Sequence, residues 1–240
     1  MTEDTLFEGD LRISQPEKGY RFSVDAVLLA HYVAPKPGNL ILDLGAGCGV
    51  ISLIIAYRRP TVGITSLELQ DNLYRLLKHN VEINGYTGRI YTIQGDLKKI
   101  RETVPAESFD LVISNPPYRT VTSGRQNPAR DVAAARHELK ADLTDTVEAA
   151  AYAVRNRGRV AFIYPAERMA RLMEAMGEKL LEPKRLQTVH SYPGAPAGMV
   201  LLEAVKNGGE GLNVLPPFFI YQEKGGKYSP EMAAAYKREL

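Results

Sequence analysis

Cysteine is almost missing from this 240-residue chain. Cys48 stands alone, which excludes an intramolecular disulfide and a multi-cysteine zinc site and points to a reducing compartment such as the cytoplasm. Histidine is scarce too, and His31, His79 and His190 share no spacing that would assemble a metal site, so no metal is expected. Long apolar runs are lacking. The acidic start Met1-Thr2-Glu3-Asp4 has no signal-peptide core, and the stretch from Val50 to Tyr57 stops at Arg58-Arg59-Pro60, too soon to span a bilayer. Neither secretion nor a membrane partner is expected. Charge of one sign is also wanting: at net +2, a polyanion must be met by a local patch, not by the whole surface. There are no repeats and no low-complexity tract. With 45% hydrophobic and 24% charged residues, the chain has no room for a long disordered region, and residues 1–240 suit a single domain.

Short apolar runs alternate with longer amphipathic ones, which predicts βαβ units, a mostly parallel sheet and helices on both faces. Strands are expected at about 40–44, 63–68, 89–94, 109–114 and 158–164. Helices are expected over Val50 to Tyr57, Gln70 to Asn84, Asp142 to Asn156 and Ala166 to Leu180. The run from Gln70 carries Leu73, Leu76, Leu77, Val81 and Ile83 at near-helical spacing and stops at Asn84-Gly85. Beyond Leu181, Arg185 to His190 and Met199 to Val205 read as an antiparallel hairpin joined by the Pro/Gly-rich turn from Tyr192 to Gly198. Residues 1–35 precede the sheet and are expected to fold over the site as a lid or platform.

Ile41-Leu42-Asp43-Leu44-Gly45-Ala46-Gly47-Cys48-Gly49 is an apolar strand running into a glycine-rich turn. Such a turn lets the backbone fold sharply and a ligand approach closely. By itself it is shared with dinucleotide sites. Asp43 separates the two, because a carboxylate before the glycines repels phosphate and suits a cofactor with no phosphates and a cationic amino acid end, as S-adenosylmethionine has. Glu68, 19 residues after Gly49, stands where an acid accepts from both ribose hydroxyls. Asp96, after the third strand, is placed to accept from the adenine amine of the cofactor. Cys48 reads as a small packing residue and not as a nucleophile.

Phe109 to Ser114 is a strand that ends in Asn115-Pro116-Pro117-Tyr118. Strand ends of this kind form the ligand crevice of an α/β sheet. An aryl amine is a poor nucleophile, because its lone pair is delocalised into the ring. The Asn115 amide oxygen and the Pro116 carbonyl can each accept one of its N–H groups, and Tyr118 offers a flat face for an extruded base, worth about 1–3 kcal/mol. Between Tyr118 and Glu138, Arg119, Arg125, Arg130 and Arg136 suit a phosphate backbone, with His137 in a structural or RNA-contacting role. Arg155, Arg157 and Arg159 are candidates to extend that patch.

The glycine turn, Glu68 and Asp96, in that order, resemble the Rossmann-like class I methyltransferases. That resemblance implies S-adenosylmethionine as cofactor and a mostly parallel seven-stranded sheet closed by a C-terminal antiparallel hairpin. The NPPY tetrapeptide is shared by adenine and guanine amino methyltransferases and by release-factor glutamine methyltransferases. Release-factor methyltransferases usually carry a helical domain before the core. Here Gly19-Tyr20-Arg21-Phe22-Ser23, Asp25-Ala26-Val27-Leu28-Leu29 and Ala135-Arg136-His137-Glu138 resemble instead the tRNA adenine-N6-methyltransferases acting on a valine tRNA, and the similarity runs to about Tyr221. The resemblance implies tRNA as partner. Protein glutamine methylation and guanine methylation stay open on the chemistry alone, as does an RNA chaperone that keeps only the cofactor fold.

Overall fold

The computed structural model describes residues 2–17, 24–116 and 142–237. Strands β1 (Thr2–Leu6) and β2 (Leu11–Gln15) form an antiparallel hairpin of their own. Helix α1 (Val24–Tyr32) follows, and then the βαβ alternation: β3 (Leu40–Leu44), α2 (Val50–Arg58), β4 (Gly63–Glu68), α3 (Asp71–Ile83), β5 (Ile90–Gln94), α4 (Ile100–Thr103) and β6 (Phe109–Ser114). The last third holds α5 (Leu143–Ala153), β7 (Val154–Pro165), α6 (Met169–Glu178), β8 (Leu181–His190), β9 (Ala197–Lys206), β10 (Asn213–Val214), β11 (Phe218–Phe219) and α7 (Pro230–Ala235).

The main sheet runs β10-β8-β9-β7-β6-β3-β4-β5, with β11 also paired to β8. Strands β3 to β7 are parallel, and β9 lies antiparallel between β7 and β8. The expected seven strands and closing hairpin are all present. Two further two-residue strands lengthen the β8 edge, kept short by Pro216-Pro217, which has no N–H to continue a ladder.

Why these segments fold this way is visible in their buried faces. In α2 every residue from Val50 to Ala56 is buried, so it reads as uniformly apolar: the sheet lies on one side, α1 and the hairpin on the other. Helix α3 is amphipathic instead, burying Leu73, Leu77, Asn80 and Val81. It ends where Gly85 takes φ +72° and the Tyr86 N–H returns to the Val81 carbonyl at 2.9 Å. On the opposite sheet face, α5 starts from a capping box in which Asp142 and Asp145 bond each other's backbone N–H.

The helix expected from Asp142 to Asn156 stops at Ala153, because Val154 is extended and pairs with Phe109 as the first residue of β7. The ladder then slips between Phe109 and Leu111, Arg157 takes φ +62°, and a Cβ at Gly158 would lie 2.7 Å from the Val154 side chain. Burial of Val154 against the sheet overrides the helical period. Among the described residues, no helix is long and apolar enough to cross a membrane.

Candidate functional site

The carboxyl ends of β3, β4, β5 and β6 are laced together by short contacts. Leu67 at the end of β4 accepts from both Gly45 and Ala46 N–H, at 2.9 and 3.0 Å. Gly95 N–H reaches the Glu68 carbonyl at 3.0 Å, and the Ser114 hydroxyl reaches the Leu44 carbonyl at 2.8 Å. Asp43, Gly45, Gly47, Glu68, Asp96, Asn115 and Pro116 therefore come to one edge of the sheet. Tyr118, Arg119, Arg125, Arg130, Arg136 and His137 fall outside the described residues.

The turn from Gly45 to Gly49 is held from below. Gly45, Gly47 and Gly49 all take positive φ, and at Gly49 a Cβ would sit 2.5 Å from Leu77 Cδ1. Gly45 has nothing within 4 Å of a Cβ position, which leaves its outer face open to a ligand. Glu68 is buried, and its two oxygens accept from the backbone N–H groups of Gly47 and Gln70, each at 2.8 Å. The acid thus fixes both the glycine turn and the chain entering α3.

Asp43 is fully buried. Its Oδ2 accepts from the Ser52 hydroxyl at 2.7 Å, and Ser52 lies 2.8 Å from the Ser66 hydroxyl, so three elements meet beneath the turn. Its Oδ1 is buried without a partner. Burial pushes the Asp43 carboxyl up to about 7, opposed by the Ser52 hydrogen bond and reinforced by the charge of Glu68. Burial likewise pushes the Cys48 thiol up to about 11, which removes it as a nucleophile near neutral pH. Asp96 is half-buried and spends one oxygen on the Lys98 N–H at 3.0 Å, leaving the other.

Asn115 follows Ser114, which is paired with Leu44, and so stands beside the glycine turn. Its Oδ1 is also buried without a partner, and Pro116 behind it is buried. Ala26, Gly45, Ala46, Cys48, Val50, Ile51 and Asn115 line one pocket. Helix α1, from the segment 1–35, supplies Ala26 to a wall of that pocket.

Two residues escaped sequence reasoning. Asn80, fully buried on α3, bonds the Ser14 N–H (2.8 Å), the Ser14 carbonyl (2.9 Å) and the Cys48 carbonyl (2.9 Å), tying β2 to the glycine turn. Leu69, next to Glu68, is 47% exposed at the sheet edge. A lone amide on a buried helix face, and an apolar residue directly after the acid, were the signals available. Arg155, Arg157 and Arg159 do not extend an RNA patch at this edge. They lie at the amino end of β7, bonded to Asp110, the Asn207 carbonyl, and Glu203 with the Ala34 carbonyl. Among the described residues no group of His, Cys, Asp or Glu could hold a metal ion.

Residues 22–153 match the family model of the methyltransferase small domain. Two relatives are each named tRNA1(Val) (adenine(37)-N6)-methyltransferase. One, from Glaesserella parasuis, is 31% identical over 69% of this chain and 65% of its own length. The other, from Yersinia pestis, is 28% identical over 88% of this chain and 83% of its own length. The chain thus aligns with just under two thirds of the first and most of the second. A solved structure from Agrobacterium tumefaciens, described as a predicted O-methyltransferase, superposes with a TM-score of 0.72 at 22% identity, covering 90% of this chain and 98% of that one. That last likeness is one of fold.

Proposed function

This chain belongs to the methyltransferase small domain family and uses S-adenosylmethionine, and we propose that it methylates the exocyclic amine of an adenine in tRNA. The observation that carries the reading is the bare Asn115 Oδ1, buried beside the glycine turn in one pocket. A buried acceptor without a donor costs about 1–3 kcal/mol, which a donor amine from a substrate would recover. The names of the two relatives support adenine in tRNA as acceptor.

The residues present fit the cofactor. The second unpartnered oxygen, on Asp43, suits a positively charged amino acid end, and the open face of Gly45 admits close approach of a ligand. Glu68 would take the ribose hydroxyls, Leu69 would supply an apolar wall, and Asp96 would take the adenine amine. When bound, the cofactor supplies an electrophilic methyl group.

Asn115 Oδ1 would accept one N–H of the target amine and the Pro116 carbonyl the other, turning the nitrogen lone pair out of the ring plane. As the nitrogen gains positive charge in the transition state, both bonds strengthen, which is selective stabilisation of that state. Neither acceptor titrates near neutral pH, so the amine proton passes to solvent after transfer. Tyr118 would stack on the base, Arg119, Arg125, Arg130 and Arg136 with His137 would hold the backbone around it, and residues 1–35 act as a platform through the α1 wall. The reduced, buried Cys48 suits a cytoplasmic setting.

Mass spectrometry of nucleosides from total tRNA, with and without the gene, tests this. Loss of N6-methyladenosine on deletion, and its restoration by purified protein with cofactor, is the expected result. A radioactive methyl that survives nuclease and disappears with protease would overturn it in favour of a protein acceptor.

A further inference from the structure

The chain past β11 builds an aromatic surface that holds none of the groups assigned to methyl transfer. Tyr221 and Tyr228 stack with ring centroids 5.4 Å apart, and Tyr228 stacks on Tyr236 at 5.7 Å with the rings 11° from parallel. Tyr236 packs against the core, whereas Tyr221 and Tyr228 are 37% and 41% exposed. Burial and the neighbouring Tyr228 phenol push the Tyr236 hydroxyl well above its ordinary range.

The turn between the outer two rings is firmly made. Gln222 N–H bonds the Lys227 carbonyl at 3.0 Å, Gln222 Nε2 bonds the Tyr228 carbonyl at 3.0 Å, and Gly226 N–H bonds the Glu223 carbonyl at 3.0 Å. Gly225 takes φ +72°, and a Cβ at Gly226 would lie 2.7 Å from Glu223 Cγ. Ser229 then fastens the return, with its hydroxyl on the Phe219 carbonyl at 2.6 Å while it caps α7. Lys224 and Lys227 are both exposed on this turn, against the one carboxylate of Glu223.

Topology fixes which edge of the sheet this surface occupies. β11 is parallel to β8, β8 and β7 are both antiparallel to β9, and β7 is parallel to β6. The chain leaving β11 at Tyr221 therefore emerges on the same edge as Asn115. Four strand steps of ~4.8 Å separate β6 from β11, roughly 19 Å, or about five stacked bases at ~3.4 Å each.

We infer that the Tyr221–Tyr228–Tyr236 stack with Lys224 and Lys227 is a second RNA-docking platform, which stacks an unpaired base and holds its backbone phosphates several nucleotides from the target amine. Exposed rings held in advance offer a face to any base, and lysines beside them neutralise the flanking phosphates. The inference rests on the RNA reading above, and its readout is binding, separate from methyl transfer.

Fluorescence anisotropy with a labelled tRNA transcript decides it. Tyr221→Ala/Tyr228→Ala should weaken binding roughly tenfold or more, and Tyr221→Phe/Tyr228→Phe should restore it, since the ring face is what stacks. Lys224→Ala/Lys227→Ala should lower the slope of log affinity against log salt by about 1.4 to 1.8. Binding within twofold of the parent in both alanine pairs, at unchanged melting temperature, overturns the platform, as does a parent protein that binds no tRNA. Failure of the methylation reading shows separately, as tRNA bound through this surface without methyl incorporation.

Discussion

Asp43 has one oxygen on Ser52 and the other bare, and its carboxyl sits near 7 because burial penalises the charged form. Its ordinary value is 3.8. Below that pH it is protonated folded and unfolded alike, and its contribution to stability is intact. As pH rises toward about 7 the unfolded chain sheds its proton first, so the ligand-free protein loses that contribution and the loss levels off above 7. A cationic cofactor reverses the preference by favouring the carboxylate. Binding should therefore release a proton and tighten between about pH 5 and 7, read as a buffer-dependent heat in calorimetry. Equal heats in two buffers of different ionisation enthalpy would remove Asp43 from the cationic end. Asn115→Ala should cost roughly 10²–10³ in turnover with little change in cofactor affinity; near-normal single-turnover rates would defeat its role. Glu68→Gln is more telling than alanine, since an amide NH₂ would face the Gly47 or Gln70 N–H. Cofactor binding should weaken at least about tenfold and stability fall by about 1–3 kcal/mol; unchanged affinity in calorimetry would refute the ribose role, and an unchanged melting temperature the hold on the turn.

Among the elements, those whose own residues carry the whole reason for their shape were legible in the sequence. Helix α2 announces itself because Val50 to Ala56 are buried on every side, and α3 because its apolar face is periodic and Asn84-Gly85 stops it. The glycine turn and its acids were legible because Asp43, Glu68 and Asp96 each sit at or near a strand end. What escaped depends on distant partners. Asn80 is one amide on an apolar face whose partner Ser14 lies 66 residues away, and the end of α5 at Ala153 is set by a pairing with Phe109. The hairpin β1–β2 was hidden for the same reason, since its inner face is defined by α2 and α3. Asn80→Ala would strand the buried Ser14 N–H and weaken the hold on the Cys48 carbonyl, costing about 2–4 kcal/mol. Hydrogen exchange should then quicken in β2 and in the glycine turn together; quickening in β2 alone would show that the two are not coupled.

For the whole molecule, the reversed strand β9 brings the end of β8, and with it the tyrosine surface, to the edge that carries Asn115. The net charge is only +2, so long-range attraction to a polyanion is weak, and the proposed contact with tRNA would come from a few placed cations. The log–log salt slope for tRNA binding should accordingly stay shallower than about −5, corresponding to some five phosphates or fewer. A steeper slope would reveal a broad electropositive face in place of discrete patches.

The Ser14–Asn80–Cys48 bridge makes the hairpin β1–β2 a structural stay for a pocket lined by other elements. A shortened version beginning at Val24 would keep every group assigned to methyl-donor contact and still grip the donor poorly, because the peptide under Cys48 would have lost its anchor.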